Sequence, residues 1–123
     1  MSTKYILKIL FIQFVFIILF YSQVSAQSTC DFTLDPNILK ADGNTNLKSV
    51  KPGDTVCIPA GTRDPLSIRN LNGTKNNPIT IINSGGRVVI KRDDNIQDRS
   101  LFVADSSNLK FSGAGSSDRY GIK

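Results

Sequence analysis

Thr55-Val56-Cys57-Ile58, Ile79-Thr80-Ile81-Ile82 and Leu101-Phe102-Val103-Ala104 form one series of short apolar motifs. Leu66-Ser67-Ile68-Arg69, Val88-Val89-Ile90-Lys91 and Leu109-Lys110-Phe111-Ser112 form a second series that alternates with it. In the first, Ile58 and Ile81 are 23 positions apart and Ile81 and Val103 are 22 apart. In the second, Ile68 and Ile90 are 22 apart and Ile90 and Phe111 are 21 apart. Two strands and two turns returning at about 22 residues predict an all-β parallel solenoid. One such rung buries about five aliphatic side chains at roughly 1.5–3 kcal/mol each. Ordering its residues costs on the order of 30 kcal/mol, so the rungs are expected to hold only when stacked.

Strand alternation turns the period into an inside/outside map. Val56, Ile58, Ile79, Ile81, Leu101 and Val103 are expected inside from the first series, and Leu66, Ile68, Val88, Ile90, Leu109 and Phe111 from the second. Stacking predicts one column of Ile58, Ile81 and Val103 and another of Ile68, Ile90 and Phe111, with Cys57, Thr80 and Phe102 sharing an outward column. The turns follow suit. Pro59-Ala60-Gly61, Asn83-Ser84-Gly85-Gly86 and Asp105-Ser106-Ser107-Asn108 each follow a member of the first series, and such small, polar residues punctuate strands.

Residues 27–54 lack the period and read as a cap over the first rung, with Lys51-Pro52-Gly53-Asp54 as the turn into it. At the other end, Tyr120-Gly121-Ile122-Lys123 falls where the first series would return. It reads as the opening of a further rung, so the solenoid is expected to be incomplete. An uncovered parallel edge invites either missing C-terminal rungs or self-association.

The N-terminus has the three parts of a secretory signal peptide: Lys4 and Lys8, the apolar run Ile9 to Phe20 broken only by Gln13, and the small-residue site Val24-Ser25-Ala26. The apolar run is short against the roughly 20 residues of a membrane-spanning helix. The expected organisation is thus a leader at 1–26, a cap at 27–54 and first rungs at 55–123, in a protein that is secreted, periplasmic or at the cell surface, with no membrane attachment after cleavage. Acylation of Cys30 is the alternative, although Gln27-Ser28-Thr29 lacks the usual aliphatic residue.

Composition excludes several chemistries. The formal net charge is +5, to which Lys4 and Lys8 contribute. The rest is an ordinary scattered surface charge with no aromatic-basic stripe, and nucleic acid is not an expected partner. No histidine is present, which removes Ser-His-Asp and Cys-His mechanisms. The two cysteines, Cys30 and Cys57, are too few for a zinc site. In an oxidising compartment they are expected to pair as a disulfide.

Two candidate sites remain. Lys91-Arg92-Asp93-Asp94 with Asp98-Arg99 is the dense charged cluster. Asp93, Asp94 and Asp98 offer oxygens to Ca²⁺, and Lys91 or Arg92 stands ready to act on an acidic sugar; the competing reading is a solvated turn. Phe102, outward-facing, offers a ring on which a sugar can stack.

From Val50 onward the chain resembles the right-handed parallel β-helix family of secreted bacterial proteins, which includes pectate-lyase-like polysaccharide lyases. Three stretches carry the resemblance: Val50-Lys51-Pro52-Gly53-Asp54-Thr55-Val56; Asn72-Gly73-Thr74 with Asn77-Pro78-Ile79-Thr80-Ile81; and Asn108-Leu109-Lys110-Phe111-Ser112-Gly113 with Tyr120-Gly121-Ile122. The resemblance implies the pectin-lyase-like fold. For the lyases it further implies a lysine or arginine base, calcium-holding carboxylates and an uronate substrate, none of which maps residue by residue onto this chain, which also has no glutamate. The functional expectation is therefore the N-terminal part of a secreted protein related to carbohydrate-active solenoids. It has no catalytic residues of its own, no cofactor unless Ca²⁺, and an acidic polysaccharide as partner. The alternative is a structural or adhesive surface solenoid.

Overall fold

The computed structural model describes residues 2–9, 29–92 and 99–123. Seven strands follow in order: β1 (Phe32–Thr33), β2 (Lys40–Asp42), β3 (Thr55–Arg63), β4 (Leu66–Arg69), β5 (Ile79–Ile90), β6 (Leu101–Ala104) and β7 (Leu109–Ser112). They sort into two parallel sheets, one of four strands in the order β1-β3-β5-β7 and one of three in the order β2-β4-β6. Parallel neighbours cannot be joined by a tight hairpin and need a crossover. Here each crossover passes through a strand of the other sheet. Residues 3–9 form the one short helix among the described residues.

The core lies between the sheets. Val56, Ile58, Ile79, Ile81 and Val88 come from the four-stranded sheet, Ala41, Leu66 and Ile68 from the three-stranded one, and Leu34, Leu47 and Leu71 from the connections. The alternation is cleanest in β4, where Leu66 and Ile68 are buried and Ser67 and Arg69 half-buried. β3 and β5 are longer and share a bulge. Their register jumps between Pro59 and Gly61, where three residues of β5 oppose one of β3. Gly61, Gly85 and Gly86 take positive φ there, at 119°, 75° and 142°, a region closed to most side chains.

That bulge corrects the expected fold. Ile79–Ile82 and Val88–Ile90 were expected as strands of two different series, but they form the two halves of β5. The alternation then slips by one strand, and Leu101–Ala104 pairs with β4 instead of following β5. The columns change accordingly. Val56 is opposite Ile81, and Ile81 opposite Phe111. Ile58 faces Asn83 and Ile90 faces Arg63, while Ile68 lies between Ala41 and Val103. Phe102 is in register with Ser67, not in a column with Cys57 and Thr80. Offsets within a sheet run from 24 residues (Phe32 to Val56) to 35 (Ile68 to Val103). A right-handed parallel β-helix with a uniform rung of about 22 residues is therefore not what forms. The chain builds a small two-sheet parallel domain with crossover connectivity.

Residues 27–54, expected as a cap, supply β1 and β2, one strand to each sheet. At the other end, Ile122 bridges to Val88. Val88 N–H donates to Gly121 O and Ile90 N–H to Lys123 O, at 2.7 and 2.8 Å. The last residues thus lie along the second half of β5. Val103 and Phe111, expected inside, are 41% and 43% exposed, because each sits on the outermost strand of its sheet. Of the expected leader, residues 1 and 10–26 lie outside the described residues. The short helix at 3–9 gives no support to a leader or to export, and no helix among the described residues is long and apolar enough to cross a membrane.

Candidate functional site

The outer face of the β2-β4-β6 sheet carries the arrangement with the most recognisable chemistry. Parallel register sets Lys40, Ser67 and Phe102 in one row and Asp42, Arg69 and Ala104 in the next. Ser67 is small, and the space it leaves beside the Phe102 ring opens into a groove of about 350 Å³ walled by Leu39, Pro65, Arg69, Arg99 and Ser100. Two guanidinium groups flank the ring, with Arg69 Cζ 5.0 Å and Arg99 Cζ 5.2 Å from its centroid. Both distances fall within the range of cation–π attraction, which is worth about 0.5–1 kcal/mol at exposed sites. Arg69 is steered further by Asp105, 3.6 Å away. Asp105 takes a positive φ of 51°. The result is a partly apolar slot whose ring is bracketed by positive charge.

Asp42, at the end of β2, anchors one side of this sheet. Its carboxyl is held at about 2, below the ordinary 3.8. The main cause is the hydrogen bond donated by the Asn70 side chain, followed by one from the Asn44 backbone N–H and by Lys40. Arg63, at the end of β3, is 6% exposed. It donates from Nη2 to the Ile38 carbonyl, while Nε and Nη1 have no partner among the described residues. Burial pushes its guanidinium below its ordinary value, and Asp35 and Asp64 act in the opposite direction.

The residues singled out from the sequence do not converge. Phe102 is in the groove. Lys91 Nζ is 3.2 Å from Asp64 Oδ1 beyond the end of β5, and neither Lys91 nor Arg92 lines the groove. Asp93, Asp94 and Asp98, the expected Ca²⁺ ligands, lie outside the described residues. Among the described residues, no group of three or more metal-ligating side chains gathers. Cys30 and Cys57 are joined by a disulfide with Cα atoms 5.6 Å apart, tying the segment before β1 to β3. Sequence reasoning missed Arg69, Ser67 and Leu39. The outward parity of Ser67 and Arg69 was legible, but their approach to Phe102 depends on the β4-β6 register.

No family model matches the chain, and no curated protein or solved structure matches it. The resemblance to the secreted, pectin-lyase-like β-helix family is thus left without support, and the two-sheet architecture corrects it. Of the three quoted stretches, the first leads into β3, the second spans the connection into β5, and the third holds β7. With the uniform repeat gone, two functional expectations that rested on it fall. These are the N-terminal part of a carbohydrate-active solenoid and the structural or adhesive surface solenoid. What the fold and the groove define is a small parallel two-sheet domain with a cationic, aromatic recess.

Proposed function

We propose that the domain is a binding module that takes a negatively charged, ring-bearing ligand in the Phe102 groove. The observation that carries this reading is the Arg69–Phe102–Arg99 bracket. An aromatic face attracts an apolar ring face, and the two guanidinium groups attract and orient a carboxylate or similar anion. Both sources of such a ligand share this chemistry: an acidic sugar from a polysaccharide, or an aromatic carboxylate.

The test is a titration of the chain, followed by NMR at the Phe102 ring and the arginine Nε–H groups. The probes are an oligouronate, an aromatic carboxylate such as benzoate, and a neutral glucose oligomer. Saturable shifts with an anionic probe and none with the neutral one are expected. Phe102→Ala should weaken binding about 5-fold, from about 1 kcal/mol of lost stacking, and added salt should weaken it further. Shifts with the oligouronate alone identify the polysaccharide source, and shifts with benzoate alone the aromatic one. Absence of shifts with both anions at millimolar concentration, or equal binding by Phe102→Ala, would overturn the reading.

A further inference from the structure

We propose that β7 is a self-pairing edge: two copies of the chain join through it, antiparallel, about a two-fold axis at Phe111. The two ends of the sheets are built differently. At one end the edge strands are β1 and β2, of two and three residues. Beside β2, residues 43–50 turn back so that Leu47 is 6% exposed. Brevity and cover of this kind blunt an edge. At the other end β6 and β7 have four residues each, and β7 pairs only with β5 among the described strands. Val103, Phe111 and Tyr120 are exposed there, Tyr120 at 61%. An open groove of about 710 Å³ runs beside Phe111 and Tyr120, with Leu101 and Ile122 also in its wall. Unpaired backbone groups next to apolar side chains are a template for a further strand.

The blunted far end selects the occupant. Head-to-tail stacking would have to seat β7 on the two residues of β1, whereas a second β7 presents a strand of matching length and a matching apolar row. A two-fold arrangement uses the same patch twice and closes on itself. Side-chain chemistry fixes the register. An axis at Lys110 would set the two Lys110 side chains directly opposite one another, which is unfavourable for like charges. An axis at Phe111 sets Phe111 against its own copy and Lys110 against Ser112, so that both rings lie on the apolar row.

The experiment measures the mass of the chain in solution across a concentration series, together with cysteine cross-linking. The chain should reach a dimer mass and go no further. Phe111→Cys should form an intermolecular disulfide on mild oxidation, because directly opposed Cα atoms are roughly 4.5–5.5 Å apart, within disulfide reach. Lys110→Cys should cross-link at least 10-fold less, since its copy lies beyond that reach. Phe111→Lys should be monomeric with an unchanged circular-dichroism spectrum; if it does not fold, the two cysteine variants still decide the matter. A monomer at every concentration, open-ended growth beyond a dimer, or equal cross-linking of the two cysteine variants would overturn the proposal.

Discussion

The Asn70 side-chain amide donates to the Asp42 carboxylate at 2.9 Å across 28 positions of sequence, and the same Asp42 oxygen accepts the Asn44 backbone N–H at 2.9 Å. Asn70 reaches it from a left-handed conformation, φ 55°. One carboxylate thus pins the end of β2 to the end of β4, the strand that carries Arg69.

This carboxylate makes stability pH-dependent in a defined direction. Its folded-state value of about 2 lies below the ordinary 3.8, so its contribution is fully present above about 4 and is lost as pH falls through about 2. Thermal melts of the chain and of Asp42→Asn, taken from pH 7 down to 2, should show the variant less stable at pH 7. The gap between the two should narrow between about pH 4 and 2. A gap that stays constant over that window would refute the assignment.

Arg63 makes the opposite kind of prediction. It buries a charged group with two guanidinium nitrogens, Nε and Nη1, unpartnered among the described residues, and one hydrogen bond to Ile38 O. An unsatisfied buried donor costs about 1–3 kcal/mol, whereas the one hydrogen bond contributes about 1. Arg63→Met keeps the aliphatic stem and should be at least as stable as the parent, by up to about 2 kcal/mol. Urea unfolding checks this, and a loss of more than 1 kcal/mol would falsify it.

The Cys30–Cys57 bridge closes a loop across a separation of 27. Loop-closure entropy for that length is worth about 3.5 kcal/mol. The double variant Cys30→Ser, Cys57→Ser should lose a similar amount in denaturant unfolding. Dithiothreitol should destabilise the parent and leave the double variant unaffected.

Asn83 is fully buried. Its Nδ2 donates to Gly86 O at 2.7 Å and to Ser116 Oγ at 2.9 Å, and its Oδ1 accepts the Gly115 N–H at 3.0 Å. The fit is close enough that a Cβ on Gly115 would stand 1.5 Å from Asn83 O. Asn83→Ala should cost about 2–4 kcal/mol from unsatisfied groups. Hydrogen exchange should quicken at Gly115 and its neighbours ahead of β4. Unchanged exchange at Gly115 would show that Asn83 does not hold that segment.

The strand-forming runs from Thr55 onward were legible, whereas β1 and β2 lie in the segment expected as a cap. The β-branched and aromatic runs around Val56, Ile68, Ile81 and Phe111 all became strands, because a half-buried pleated surface selects such side chains locally. The slip at β5 was not. A glycine pair at Gly85–Gly86 reads equally well as a turn between two strands or as a bulge within one. The choice rests on whether the residues after it find a partner, and they find Thr62 and Arg63. The groove was half legible for the same reason. Phe102 could be read as outward-facing from alternation, but Arg69 comes from a strand 33 positions earlier and its approach to the ring exists only in the folded register.

The sequence by itself determined that the apolar runs from Thr55 onward are strands, how side chains alternate along each, and that histidine-dependent catalysis is excluded, since these follow from side-chain chemistry and period-two geometry. Only the tertiary structure decided which strands are neighbours, that two sheets form in place of a uniform coil, and that two arginines bracket Phe102. Pairing partners are chosen by long-range backbone hydrogen bonding and loop closure, and residue types carry no label for either.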